Sequence, residues 1–151
     1  MSGCFLFRYA REVLVEDTRI GRGYGEGIAA GVQSVGLAFR RVTVHDMAHL
    51  LMYVSNRAQD VLVEDCVLYQ SGLDEFRQGD GDVGTGLVVG DEVGVRSANW
   101  QHAENVTVRR CVVVNAGSGF GIRNNKKVVG GVPDGYDTTI KNLVVERCTF
   151  V

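Results

Sequence analysis

The chain has 151 residues, 45% hydrophobic and 23% charged, with a formal net charge of −2. That balance fits one soluble domain and argues against a nucleic-acid binder, which would carry a basic excess. No apolar run approaches the ~20 residues that span a bilayer, Met1 to Ala10 lacks the basic start and cleavage site of a signal peptide, and no Cys-x-x-Cys spacing occurs.

The first element in chain order is Gly3-Cys4-Phe5-Leu6, with Cys4 nine residues ahead of Val13. The segment Val13-Leu14-Val15-Glu16-Asp17-Thr18-Arg19-Ile20 follows, and its pattern then returns four times. The copies begin at Val13, Leu37, Val61, Val106 and Leu143, in steps of 24, 24, 45 and 37 residues. A second short element precedes each later copy: Gly27-Ile28-Ala29-Ala30, Leu51-Met52-Tyr53-Val54, Gly86-Leu87-Val88-Val89 and Gly121-Ile122-Arg123-Asn124. The long steps resolve as insertions over 73–84, 90–103 and 125–139. A fixed internal period is the signature of a solenoid.

Within each copy the first, third, sixth and eighth positions are mostly apolar, in two short alternations of the kind a half-buried strand makes. The fourth and fifth are mostly charged, so the chain is expected to bend there with both side chains outside. No segment carries a sustained apolar stripe at helical spacing, and the glycines are expected to supply the tight corners. Three short strands in about 24 residues leave too little chain for strand–helix–strand units. The expected fold is all-β: a single-stranded parallel β-helix of about five coils, right-handed because parallel crossovers take that hand. The whole chain, 1–151, reads as one such segment.

The fourth column reads Glu16, Arg40, Glu64, Arg109, Glu146, with opposite charges on successive coils. The fifth reads Asp17, Arg41, Asp65, Arg110, Arg147 and alternates until its last pair. Stacked opposite charges explain these residues as structural pairs. Cys66, Cys111 and Cys148 share one inward column and read as small buried side chains rather than bridges or ligands. Neither end shows a capping segment, so the expectation is a slice of a longer protein, or ends covered by partners or by self-association.

The phrases "QDVLVEDCVLYQSG" (59–72) and "ENVTVRRCVVVNAGSGFGI" (104–122) resemble the repeat of right-handed parallel β-helix proteins, a superfamily that includes pectate lyases, polygalacturonases, alginate epimerases and phage tailspikes. The resemblance covers nearly the whole chain and implies architecture more than activity. It implies an extracellular or cell-surface location and a substrate groove along the strand that begins Gly27-Ile28-Ala29, with Phe5, Ala29, Tyr53, Val88 and Arg123 facing outward. At the positions where polygalacturonases carry their aspartates only Glu26 keeps a carboxylate, and glycoside hydrolysis needs two.

All three insertions adjoin that strand, which makes it the expected binding face. The 73–84 insertion carries Asp74, Glu75, Asp80 and Asp82, either a solvated acidic loop or a calcium site. The 90–103 insertion carries Trp100 and His102; the indole either stacks on a sugar or anchors its own loop. The 125–139 insertion supplies Lys126, Lys127 and Tyr136, a positive spot with Arg123 that could face an anionic polysaccharide. A lyase or epimerase would use Arg123 and Lys126 to neutralise a uronate carboxylate and His102, Tyr136 or a lysine with lowered pKa as the base. Tyr53, Trp100, Arg123 and Lys127 are the expected substrate-binding residues. His45 and His49 are four apart, but at a strand end and corner that spacing has no helical meaning, and Asp46 beside His45 is the notable neighbour. Two functional expectations follow: a module that binds or modifies a polysaccharide, or a structural or adhesive segment without chemistry. Neither expects nucleic-acid or membrane partners.

Overall fold

The computed structural model describes residues 3–55, 57–72, 84–91, 103–124 and 140–151. They form strands in repeating triplets. The first is β1 (Gly3–Phe7), β2 (Arg11–Glu16) and β3 (Arg19–Gly23), and the second is β4 (Glu26–Ala30), β5 (Val35–Arg40) and β6 (Thr43–Met47). Then come β7 (Met52–Val54), β8 (Gln59–Glu64) and β9 (Val67–Ser71), followed by β10 (Thr85–Asp91), β11 (Glu104–Arg109) and β12 (Val112–Val114). The last are β13 (Ser118–Asn124), β14 (Lys141–Glu146) and β15 (Thr149–Phe150). No helix occurs among the described residues.

Every third strand joins the same sheet, giving three five-stranded sheets. The first contains β1, β4, β7, β10 and β13, the second β2, β5, β8, β11 and β14, and the third β3, β6, β9, β12 and β15. All the pairings are parallel. The arrangement is consistent with a parallel β-helix. The second sheet carries the repeat in register: Val13, Leu37, Val61, Val106 and Leu143 lie side by side, as do Val15, Phe39, Val63, Val108 and Val145. These columns face Ile28, Met52 and Leu87 of the first sheet and Ile20, Val44, Leu68 and Val113 of the third across one buried core.

The bend between second and third sheets is built the same way each time. The fifth-position residues Asp17, Arg41, Asp65, Arg110 and Arg147 all take left-handed backbone, with φ between 50° and 54°. Each of the first four donates its backbone N–H to the fourth-position carbonyl of the next triplet, at 3.0–3.2 Å. The sixth-position side chain then closes the turn onto the carbonyl two residues back: Thr18 Oγ1 to Glu16 at 2.8 Å, and Cys66, Cys111 and Cys148 Sγ to Glu64, Arg109 and Glu146 at 3.3 Å. A second left-handed column, Glu12, Gly36, Asp60, Asn105 and Asn142, opens the second sheet. Its outer members form a ladder, Asn105 donating to Asp60 and Asn142 to Asn105, both at 2.8 Å. The corners are therefore turned mostly by Asp, Asn and Arg, where glycine was expected. Short polar side chains tolerate this conformation because they bond locally.

Register in the first sheet differs from the sequence expectation. Phe5 pairs with Ile28 and so belongs to the inward column, leaving Leu6 beside Ala29. Three residues, 8–10, join β1 to β2, whereas four, 31–34, join β4 to β5, so a count back from the repeat slips by one. At the other edge Gly121 lies beside Val88, and Arg123 lies beside Gly90.

The charge columns pair between triplets in part as the sequence implies, at Arg40–Glu64, Glu64–Arg109, Asp17–Arg41 and Asp65–Arg110, while among the described residues no ion pair joins Glu16 to Arg40 or Arg109 to Glu146. Arg41 clamps Asp17 with two hydrogen bonds, 2.6 and 2.8 Å, and reaches Glu16 at 2.8 Å. Arg110 repeats this on Asp65, at 2.7 and 3.0 Å, and on Glu64 at 2.5 Å. Glu64 is 7% exposed and also receives Arg109 at 2.5 Å. Arg40 approaches it to 3.2 Å as an ion pair without hydrogen-bond geometry. Burial alone would raise the Glu64 carboxyl, but the bonds from Arg110 and Arg109 outweigh it and hold it below the usual 4.5. Hydrogen bonds from Arg41 and Arg110 likewise hold Asp17 and Asp65 below 3.8.

A carboxyl whose folded pKa lies below its unfolded one stabilises the fold above the unfolded value. It loses that contribution as pH falls through the folded value. The thermal midpoint should therefore change little on descending to about pH 5 and fall below it, as Asp17, Glu64 and Asp65 protonate. Glu64→Gln should lower the midpoint at neutral pH and flatten the acid limb, read by circular dichroism. An acid limb identical to that of the parent would show that Glu64 is not one of the groups responsible.

Candidate functional site

The three insertions fall near the expected places, except that Gly90 and Asp91, expected in the second, belong to β10. Residues 73–83 lie between β9 and β10, 92–102 between β10 and β11, and 125–139 between β13 and β14. β10 and β13 are adjacent strands of the first sheet, and all three stretches attach to them, one at the start of β10 and the others at the ends of β10 and β13. The candidates Asp74, Glu75, Asp80, Asp82, Trp100, His102, Lys126, Lys127 and Tyr136 lie outside the described residues. Arg123 is on β13 in register with Gly90, two residues along the strand from the position beside Val88 that the repeat implied.

Tyr53 and Val88 do lie side by side on the outward face of the first sheet. Each is only 1% exposed, and with Leu50 they form a small apolar cluster separate from the core. Neither side chain of this pair offers open surface. Glu26 stands at the start of β4 with one carboxylate oxygen enclosed and, among the described residues, without a hydrogen-bond partner. Among the described residues no group of three His, Cys, Asp or Glu side chains could hold a metal ion. The cysteine column is a core feature. Cys111 is pushed up by its hydrogen bond with Cys66 and by burial, and Cys148 by burial, so both remain thiols.

A polar arrangement of another kind lies on the outward face of the third sheet. Gly21, His45 and Tyr69 occupy one column across β3, β6 and β9. The imidazole lies flat over the Gly21 backbone, where a Cβ would collide with it. Its other face stacks on the Tyr69 ring, centroids 5.0 Å apart and 8° from parallel. Arg19, one column away, reaches across the sheet and donates from Nε to His45 Nε2 and from a terminal nitrogen to the Tyr69 hydroxyl oxygen, each at 2.9 Å. Asp46 Oδ2 sits 2.7 Å from His45 Nδ1, and the His45 side chain is 13% exposed.

These contacts fix the proton positions. A guanidinium only donates, so Nε2 must be the accepting nitrogen and Nδ1 carries the hydrogen that Asp46 accepts. Donation therefore runs outward from Arg19 in two directions, through His45 to the Asp46 carboxylate and directly to the Tyr69 hydroxyl oxygen. His45 is not placed as a base, because its lone pair is already occupied. Sequence reasoning noticed His45 and Asp46 by their spacing and missed Arg19 and Tyr69. The usable signal was columnar: Gly21, His45 and Tyr69 each follow an inward third-sheet residue, Ile20, Val44 and Leu68.

No protein-family model matches the chain, and no curated protein and no solved structure matches it.

Nitrogen-15 NMR on labelled protein should find His45 as the neutral Nδ1–H form, with Nε2 carrying the shift of an unprotonated nitrogen. The opposite tautomer would break the assigned direction of the network.

Proposed function

We propose that the chain is a right-handed parallel β-helix segment of about five coils, of the pectate lyase and tailspike kind, that binds or modifies a polysaccharide on the β10–β13 face of its first sheet. The observation that carries this reading is the convergence of all three excursions on two adjacent strands, since solenoids gather their insertions on the face they use. The excursions bring Trp100 for sugar stacking and Lys126 and Lys127, with Arg123 on β13, for anionic groups. Elimination or epimerisation of a uronate suits Arg123, Lys126, His102 and Tyr136 better than hydrolysis does, because only Glu26 offers a carboxylate where hydrolysis requires two. Calcium held by Asp74, Glu75, Asp80 and Asp82 would add charge at the same face. The corresponding location is extracellular or at a cell surface, with a glycan as the partner.

A second reading, a structural or adhesive segment without chemistry, is favoured by two observations. Tyr53 and Val88 are closed off, and the charges of the second-sheet corner are largely taken up in pairs between neighbouring triplets.

The two readings separate on a glycan array. The first expects retention on acidic polysaccharides, reduced at least about tenfold in an Arg123→Ala, Trp100→Ala double variant, the scale of two interface anchors, and weakened by chelator. Absence of any retention by the parent chain would leave the structural reading. Release of unsaturated product from pectate or alginate, followed by absorbance, would identify a lyase.

A further inference from the structure

The third-sheet network ends on an unspent donor. Arg19 has five N–H groups; two are committed, to His45 Nε2 and Tyr69 Oη, and three remain. Tyr69 accepts from Arg19, so its own O–H must point elsewhere, and among the described residues it has no acceptor. Arg19 also differs from the corner arginines. Arg40, Arg41, Arg109 and Arg110 each face a carboxylate, whereas Arg19 is held by two neutral oxygen or nitrogen acceptors and is exposed. Its edge formed by Nε and one terminal nitrogen is used, which leaves the end-on fork of the guanidinium open beside the phenol O–H.

We propose that this edge, the free Arg19 fork together with the Tyr69 O–H, binds a carboxylate. The fork matches a planar carboxylate with two parallel hydrogen bonds, and the phenol adds a third donor next to it. The charge count favours a monoanion: Arg19 contributes +1, Asp46 −1, and His45 is neutral in the tautomer that the contacts require. A phosphate, approaching two negative charges at neutral pH, would find too little positive potential. Asp46 and His45 are positioning residues. They touch no ligand; they hold the guanidinium in plane and keep it turned outward, so that little side-chain entropy is lost on binding. The site lies on the third sheet, apart from the β10–β13 face, and does not depend on a glycan binding there.

The test is an NMR titration of the full chain with sodium acetate at ionic strength held constant by sodium chloride, following the Arg19 Nε–H and the Tyr69 ring. Saturable shifts at both are expected, with millimolar affinity. Tyr69→Phe keeps the stack on His45 and removes only the hydroxyl, and should weaken binding about threefold to tenfold, the worth of one hydrogen bond. Arg19→Gln should abolish saturation, with circular dichroism confirming that each variant keeps the parent fold. Shifts that grow linearly and equally with chloride would overturn the proposal, as would undiminished binding by Tyr69→Phe. Tighter binding of inorganic phosphate than of acetate would overturn the carboxylate assignment.

Discussion

Hydrogen bonds between equivalent residues in successive triplets are the constraint on which the rest of the structure depends. No strand pairs with its neighbour in sequence; each finds its partners one triplet before and one after. The corners obey the same rule, with the left-handed fifth residue donating to the carbonyl of the next triplet. Parallel pairing with a period of 2 along the strand cannot shift by one residue without turning every inward side chain out. Columns such as Val15, Phe39, Val63 and Val108 are therefore both the consequence of register and the reason it holds.

Register by hydrophobic pattern leaves one ambiguity, because every triplet looks alike from inside. The outer charges remove it. Glu-Asp and Arg-Arg corners alternate through the first four triplets, so the repeat at the surface there is two triplets long. A slip of one triplet would set Glu64 against Glu16 and Arg110 against Arg41. Glu64 is the most demanding point in the pattern, since an enclosed carboxylate that draws on three arginines has no equivalent position one step away.

The second sheet was fully legible from sequence, because its apolar columns and charged corner recur at every copy. The first sheet was legible as strands but not in register, because its link to the second varies between three and four residues and insertions interrupt it after β10 and after β13. Phe5 and Arg123 were displaced by this. The left-handed corners were hidden by a habit of assigning such backbone to glycine, although the column Asp60, Asn105, Asn142 has the short polar side chains that also support it. The sugar-site candidates sit almost wholly in the insertions, where no copy exists to fix a column. The Arg19, His45 and Tyr69 cluster escaped for another reason. Its members are 24 to 50 residues apart, and only the fold makes them neighbours.

Because strands run across the stack while their hydrogen bonds and ion pairs run along it, the solid is mechanically anisotropic. Compression down the stack meets close-packed side chains, and sideways shear must break a whole row of bonds together. Tension along the stack instead loads one interface at a time, so the molecule would lengthen by peeling, in steps of about 24 residues of released chain where no excursion intervenes.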